Sequence, residues 1–250
     1  MAKWDRSGYI AAWEAEAGRL RDAAADADLT SPVPSCPDWT LRDLLTHMAK
    51  VYGRISRRLL SEDPPDADSE AAAAAEVSDV PVLEELDAAR GELAAVLGRM
   101  SLDDPAWNFA PQANTARFWF RRAACETAVH RWDAQMTVGN VEPVDAALAS
   151  EGVDEALGAL VPSGRRREES KATGVAQLTA RDADRRWFVR LRDDRVALLD
   201  AASVDTDVLA VQAHAAGAAS DLFLALWGRV PFGVLDVAGD QKLLDALRTR

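Results

Sequence analysis

The apolar periodicity of this 250-residue chain changes character once, and that change constrains the fold more than its composition does. As far as about residue 140, apolar residues recur at every third and fourth position in long segments; beyond about residue 175 they alternate in short ones. The first pattern belongs to amphipathic helices and the second to half-buried strands. The expected fold class is therefore α+β, with a helical region over 1–140 and a smaller α+β domain over 141–250. The length exceeds the usual single-domain size, so each region can bury its own core.

The first helix is expected from about Ser7 to Asp26, on the spacing of Ile10, Trp13, Ala17 and Leu20. Ser31-Pro-Val-Pro-Ser-Cys-Pro37 stops it, because closely spaced prolines do not propagate a helix. The second has an explicit start, with Thr40 as N-cap, Asp43 three residues on, and Trp39 placed to staple against Leu44. It runs to about Leu60. His47 falls roughly 100° from the centre of its apolar stripe, on the rim.

Ser61 to Asp79 reads as a surface connection, and Val82 to Met100 as a third helix. After a loop holding Trp107 and Phe109, a fourth spans about Ala113 to Thr137. Phe118, Cys125, Val129, Trp132 and Met136 form its core stripe, with Trp119, Glu126, His130 and Asp133 on the neighbouring one. Four long helices make a bundle, and ligands from facing helices of a bundle meet in its interior.

In the second region Asp145 to Leu160 reads as helix, and Pro162 to Gly174, with Arg165-Arg-Arg167, as a solvated loop. Strands are expected at Val175–Thr179, Trp187–Leu191, Arg195–Leu199 and about Asp207–Ala213. A strongly apolar helix, Ala218–Trp227, follows, and Val237-Ala-Gly-Asp-Gln-Lys-Leu-Leu opens a last short helix.

Glu126 and His130 lie one turn apart, so a carboxylate and an imidazole can converge on one ion. A third ligand must come from His47 or His214. Two histidines and a carboxylate around an open position form the ligand set of a catalytic zinc or related divalent metal. The spacing alone is weak evidence, since acids and histidines at this interval are common on solvated helices. His214 reads as structural or exposed, and Asp133 equally as an acceptor that orients a ligand histidine or as a surface acid.

The formal charge of -12 argues against a nucleic-acid or anionic-membrane surface. Cys36 and Cys125 cannot staple a chain this long, and both read as packing residues in a reducing, cytoplasmic setting. No cationic leader and no membrane-length apolar run is visible.

Three segments in order resemble the mycothiol-dependent maleylpyruvate isomerase family: Pro34-Ser-Cys-Pro-Asp-Trp-Thr-Leu-Arg-Asp-Leu-Leu-Thr-His47, Arg121-Arg-Ala-Ala-Cys-Glu-Thr-Ala-Val-His-Arg-Trp-Asp133, and Asp221-Leu-Phe-Leu-Ala-Leu-Trp-Gly-Arg229 with Gly239-Asp240. The resemblance implies a DinB-like four-helix bundle followed by a sterol-carrier-protein-like domain. It implies His47, Glu126 and His130 as metal ligands, zinc as the metal, mycothiol as cofactor, and Arg229 as the functional arginine of the second domain. Trp119, on the ligand stripe, is the tryptophan expected to line the cofactor pocket. Cys125 departs from the family pattern, which often has His there.

Such a site would present a deprotonated cofactor thiol at neutral pH. Thiolate addition to a conjugated cis double bond, rotation and elimination would give the trans isomer, with Arg229 clamping a substrate carboxylate. The expected partners are this low-molecular-weight thiol and a small anionic or electrophilic substrate, with no nucleic acid, no membrane, and a monomer as the expected state. Two alternatives share the fold: a mycothiol S-transferase acting on electrophiles, and a non-catalytic metal-binding or regulatory protein.

Overall fold

α1 (Arg6–Ala24) begins where the Asp5 carboxylate accepts the Gly8 N–H at 2.7 Å. α2 (Leu41–Leu59) restarts the helical path after the prolines with the capping box expected from Thr40 and Asp43. Thr40 Oγ1 accepts the Asp43 N–H at 3.3 Å, and the Asp43 carboxylate accepts the Thr40 N–H at 2.8 Å. α3 (Val82–Leu97) and α4 (Ala116–Val138) follow among the described residues of this region, and α4 ends on Gly139 at φ 74, a left-handed cap that costs glycine nothing. The computed structural model describes residues 4–66, 80–165, 171–193, 195–200 and 209–249.

By its contacts the chain divides into two units, Met1–Asn108 with Ala113–Glu142, and Phe109–Gln112 with Pro143–Arg250. In the first, α1 packs on α4, and α2 packs on both α3 and α4. The stripe of α2 is fully committed: Leu41, Leu44, Leu45, Met48, Tyr52, Ile55 and Leu59 are all buried. At about 1.5–3 kcal/mol for each buried aliphatic side chain, that stripe fixes the rotation of α2 and hence the direction of His47.

α4 starts at Ala116, three residues later than the periodicity suggests, because residues 113–115 are held as loop. Asn108 donates its side-chain amide to the Ala113 carbonyl at 2.8 Å and its backbone N–H to Asn114 Oδ1 at 3.0 Å, and Thr115 bridges Pro105. Almost every residue of α4 through Gln135 is buried, charged ones included. Arg131 is wholly buried, donating from Nε to Glu16 Oε2 at 2.7 Å and from the guanidinium to Gln135 Oε1 at 2.7 Å.

The second unit is built on a five-stranded sheet. α5 (Ala146–Glu155), capped by Asp145, widens into a π-helical turn over Ala156–Leu160, where the sequence suggested unbroken helix. β1 (Gly174–Ala180), β2 (Arg185–Arg192) and β3 (Arg195–Leu199) follow as expected. β4 is Ala213–Gly217, so the strand expected at 207–213 is displaced toward the C-terminus; residues 207 and 208 lie outside the described residues. α6 (Ala219–Leu226) comes next.

β5 (Asp236–Gly239) then takes residues expected to open the last helix, and α7 (Gln241–Asp245) begins only after it. The sheet order is β3-β2-β1-β4-β5, with β1 and β4 parallel and the other pairs antiparallel. β5 is drawn into the sheet by the unpaired edge of β4, and Gly239 permits it: at φ 84, a Cβ there would stand 2.0 Å from the Gln212 carbonyl oxygen.

Residues 67–79 of the surface connection expected at 61–79, and residues 166–170 of the loop expected at 162–174, lie outside the described residues. Arg165 is described, and its guanidinium sits 3.9 Å from the centre of the Phe109 ring. Among the described residues no helix is long and apolar enough to cross a membrane.

Candidate metal centre

Glu126 and His130 project from one face of α4 toward His47 on α2. Their ligand atoms all lie within 4.8 Å of one another. Glu126 Oε1 is 3.6 Å from His47 Nε2 and 3.6 Å from His130 Nε2. Those separations are too long for hydrogen bonds. They match the edges of a coordination tetrahedron, since three donors about 2.0–2.2 Å from a common ion stand roughly 3.4 Å apart. The donor set, two imidazoles and a carboxylate, therefore fits a divalent cation in both chemistry and spacing.

The His130 ring is oriented from behind. Its Nδ1 is 2.9 Å from Asp133 Oδ2, and Asp133 is wholly buried. A buried carboxylate accepts the Nδ1 proton, which leaves the Nε2 lone pair facing the centre. Ser35 donates its hydroxyl to Asp133 Oδ1 at 2.6 Å, and the Cys36 thiol lies 3.9 Å from Oδ2. Asp133 is thus an orienting acceptor, and the surface-acid reading of it falls away.

The Pro-rich segment forms the roof. Val33 donates to the Trp39 carbonyl at 2.9 Å, and Trp39 donates to the Cys36 carbonyl at 2.9 Å, closing a tight loop. That loop sets the Trp39 ring 4.8 Å from the His47 ring and, nearly parallel, 6.1 Å from the His130 ring. His47 keeps 31% of its side chain exposed against 6% for His130, so the His47 flank of the centre is the less enclosed of the two.

A sequence profile described as the mycothiol maleylpyruvate isomerase N-terminal domain matches residues 10–135. The chain belongs to that family. Two crystal structures share the fold of this maleylpyruvate isomerase-family chain, one of the mycothiol-dependent maleylpyruvate isomerase and one of a mutant of it. The mutant matches at TM-score 0.64 and 10% identity, and the other at 0.62 and 11%; each match covers 96% of this chain and 97% of that one. No curated protein matches the chain.

The family's N-terminal domain holds every group of the centre just described, from Ser35 to Asp133. Trp119 stands two turns before Glu126 on α4; it is buried, donates its indole N–H to the Trp107 carbonyl at 2.7 Å and packs edge-on against Phe118. Arg229 lies in the other unit, donating to the Trp227 carbonyl at 3.0 Å with its guanidinium 5.8 Å from the Trp227 ring. His214 is on β4, exposed and paired in register with Gln177 and Ala238. Cys125 is wholly buried.

Three groups at the centre escaped the sequence reading in whole or part. Trp39 was assigned to a hydrophobic staple, although its place just before the capping box and one helical stretch ahead of His47 is a visible signal. Arg122, one turn before Glu126 and ion-paired with it, carried the i,i+4 signal but was given no role. Ser35 carried no signal of its own.

Proposed function

We propose that this member of the maleylpyruvate isomerase family is a divalent-metal, mycothiol-dependent enzyme that isomerises a small conjugated cis acid. The observation that supports the reading best is the convergence of His47, Glu126 and His130, with Glu126 Oε1 at tetrahedral-edge spacing, 3.6 Å, from each imidazole Nε2 and all three ligand atoms within 4.8 Å of one another. His47, Glu126 and His130 would hold the ion, zinc by the chemistry of this donor set. Bound there, it would lower the pKa of a thiol so that the thiolate is present at pH 7.

The remaining work falls to the chain's own residues. Asp133 holds the proton on His130 Nδ1, and Ser35 keeps that carboxylate in place. Trp39 presents an aromatic wall beside the two imidazoles, shielding the site from water and offering a planar substrate a face. Trp119 is kept as a proposed part of the cofactor pocket, and Arg229, by the likeness of its Leu-Trp-Gly-Arg segment, as the proposed binder of a substrate carboxylate.

The test is a paired assay of the zinc-loaded full chain: cis-to-trans isomerisation of maleylpyruvate, and conjugation of a model electrophile, each with and without mycothiol. Mycothiol-dependent isomerisation without net thiol consumption is the expected result. Thiol consumption with no isomerisation would replace this reading with an S-transferase, and silence in both assays would favour a binding protein.

A further inference from the structure

Glu126 divides its two oxygens between different partners. Oε1 faces both imidazoles at 3.6 Å, while Oε2 is ion-paired with the guanidinium of Arg122, one turn earlier on α4. Arg122 is buried, as is Glu126. A guanidinium stays cationic at every working pH, and a pair this little exposed is weakly screened by salt. The division of the carboxylate is therefore a fixed feature of the site.

Its consequence concerns how many positions the carboxylate can fill. A carboxylate with both oxygens available can bind an ion through one or through two. With two imidazoles already present, a two-oxygen Glu126 would fill the fourth position of a tetrahedral site or push it to five-coordinate. We propose that Arg122 is a positioning residue that restricts Glu126 to one-oxygen ligation and so reserves the fourth position for an exchangeable ligand.

A second consequence follows from charge. Arg122 offsets the charge of Glu126, leaving the buried Asp133 carboxylate behind His130 as the one further anion described beside the ligands, so a divalent ion bound there keeps a net positive charge toward incoming groups. In a chain of net charge -12, that local balance favours anionic ligands such as a thiolate or a carboxylate at a place where the surrounding protein would repel them.

The inference rests on the metal reading above, and the test separates the two. The full chain is loaded with cobalt(II), whose visible absorption is intense in four-coordinate sites and weak in five-coordinate ones, and wild type is compared with Arg122→Met. An intense four-coordinate spectrum for wild type and a severalfold weaker one for Arg122→Met at the same bound cobalt is the expected result. An unchanged spectrum in Arg122→Met overturns the role of Arg122 while leaving the metal site standing. A wild-type protein that takes up no cobalt overturns both. If Arg122→Met is unfolded by far-ultraviolet circular dichroism, Arg122→Gln, which removes the charge at similar length, decides by the same criterion.

Discussion

Asp133 Oδ2 lies 2.9 Å from His130 Nδ1, at a position with no solvent exposure. Removing the negative charge while keeping the shape isolates what that contact does. Asp133→Asn is expected to lower divalent-metal affinity by about ten- to a hundredfold, because the imidazole becomes a poorer donor and its tautomer is no longer imposed. Competition with a chromophoric chelator measures it; an affinity within about twofold of wild type would assign Asp133 to packing alone.

The Glu16–Arg131 pair ties α1 to α4 in the interior, with Arg131 wholly buried and Glu16 nearly so. Replacing Glu16 with Ala strands a buried cation, and the expected cost is about 3–5 kcal/mol. Urea unfolding followed by tryptophan fluorescence reads it. A loss below about 1 kcal/mol would mean that Gln135 and the Glu142 carbonyl, which Arg131 also contacts, suffice for its donors.

Burial pushes the Tyr52 phenol from 10.0 up to about 12, since ionising it inside the bundle is costly. Its hydroxyl is 3.1 Å from Thr127 Oγ1, and because Thr127 donates its own proton to the Ala123 carbonyl at 2.7 Å, Tyr52 is the donor. As pH rises, the unfolded chain loses this proton first, so the stabilisation is whole below pH 10 and is lost through about 12. The loss from this group is on the order of 3 kcal/mol. Tyr52→Phe should cost about 1 kcal/mol at neutral pH and flatten the alkaline decline. Parallel pH–stability curves for the two proteins would contradict this.

Much of the fold and part of the centre could be read from the sequence because their signals are local. The Thr40–Asp43 capping box and the Glu126–His130 interval each sit within one helical turn. β4 was misplaced and β5 read as the start of a helix for a physical reason: Ala213-His-Ala-Ala-Gly and Asp236-Val-Ala-Gly have few β-branched residues, and their strand character comes from pairing with β1 and with each other.

The buried arginines were missed because their meaning is not local. Arg131 finds Glu16 at a separation of 115 residues, and no helical pattern distinguishes such a residue from a solvated one. Trp39 looked like a staple because it directly precedes the N-cap Thr40, with Leu44 one turn into the helix; its neighbours in space are the two imidazoles.

The most direct measurement is the metal content of the purified full chain after incubation with zinc and removal of excess, alongside His47→Ala and His130→Ala. About one equivalent in wild type, a loss of tightly bound metal in both variants, and unchanged far-ultraviolet circular dichroism are expected, since three protein donors define a single site and neither histidine belongs to the apolar stripe that packs its helix. Wild-type protein with less than about a tenth of an equivalent, or variants that retain the full complement, would contradict the assignment of His47, Glu126 and His130 as a metal site.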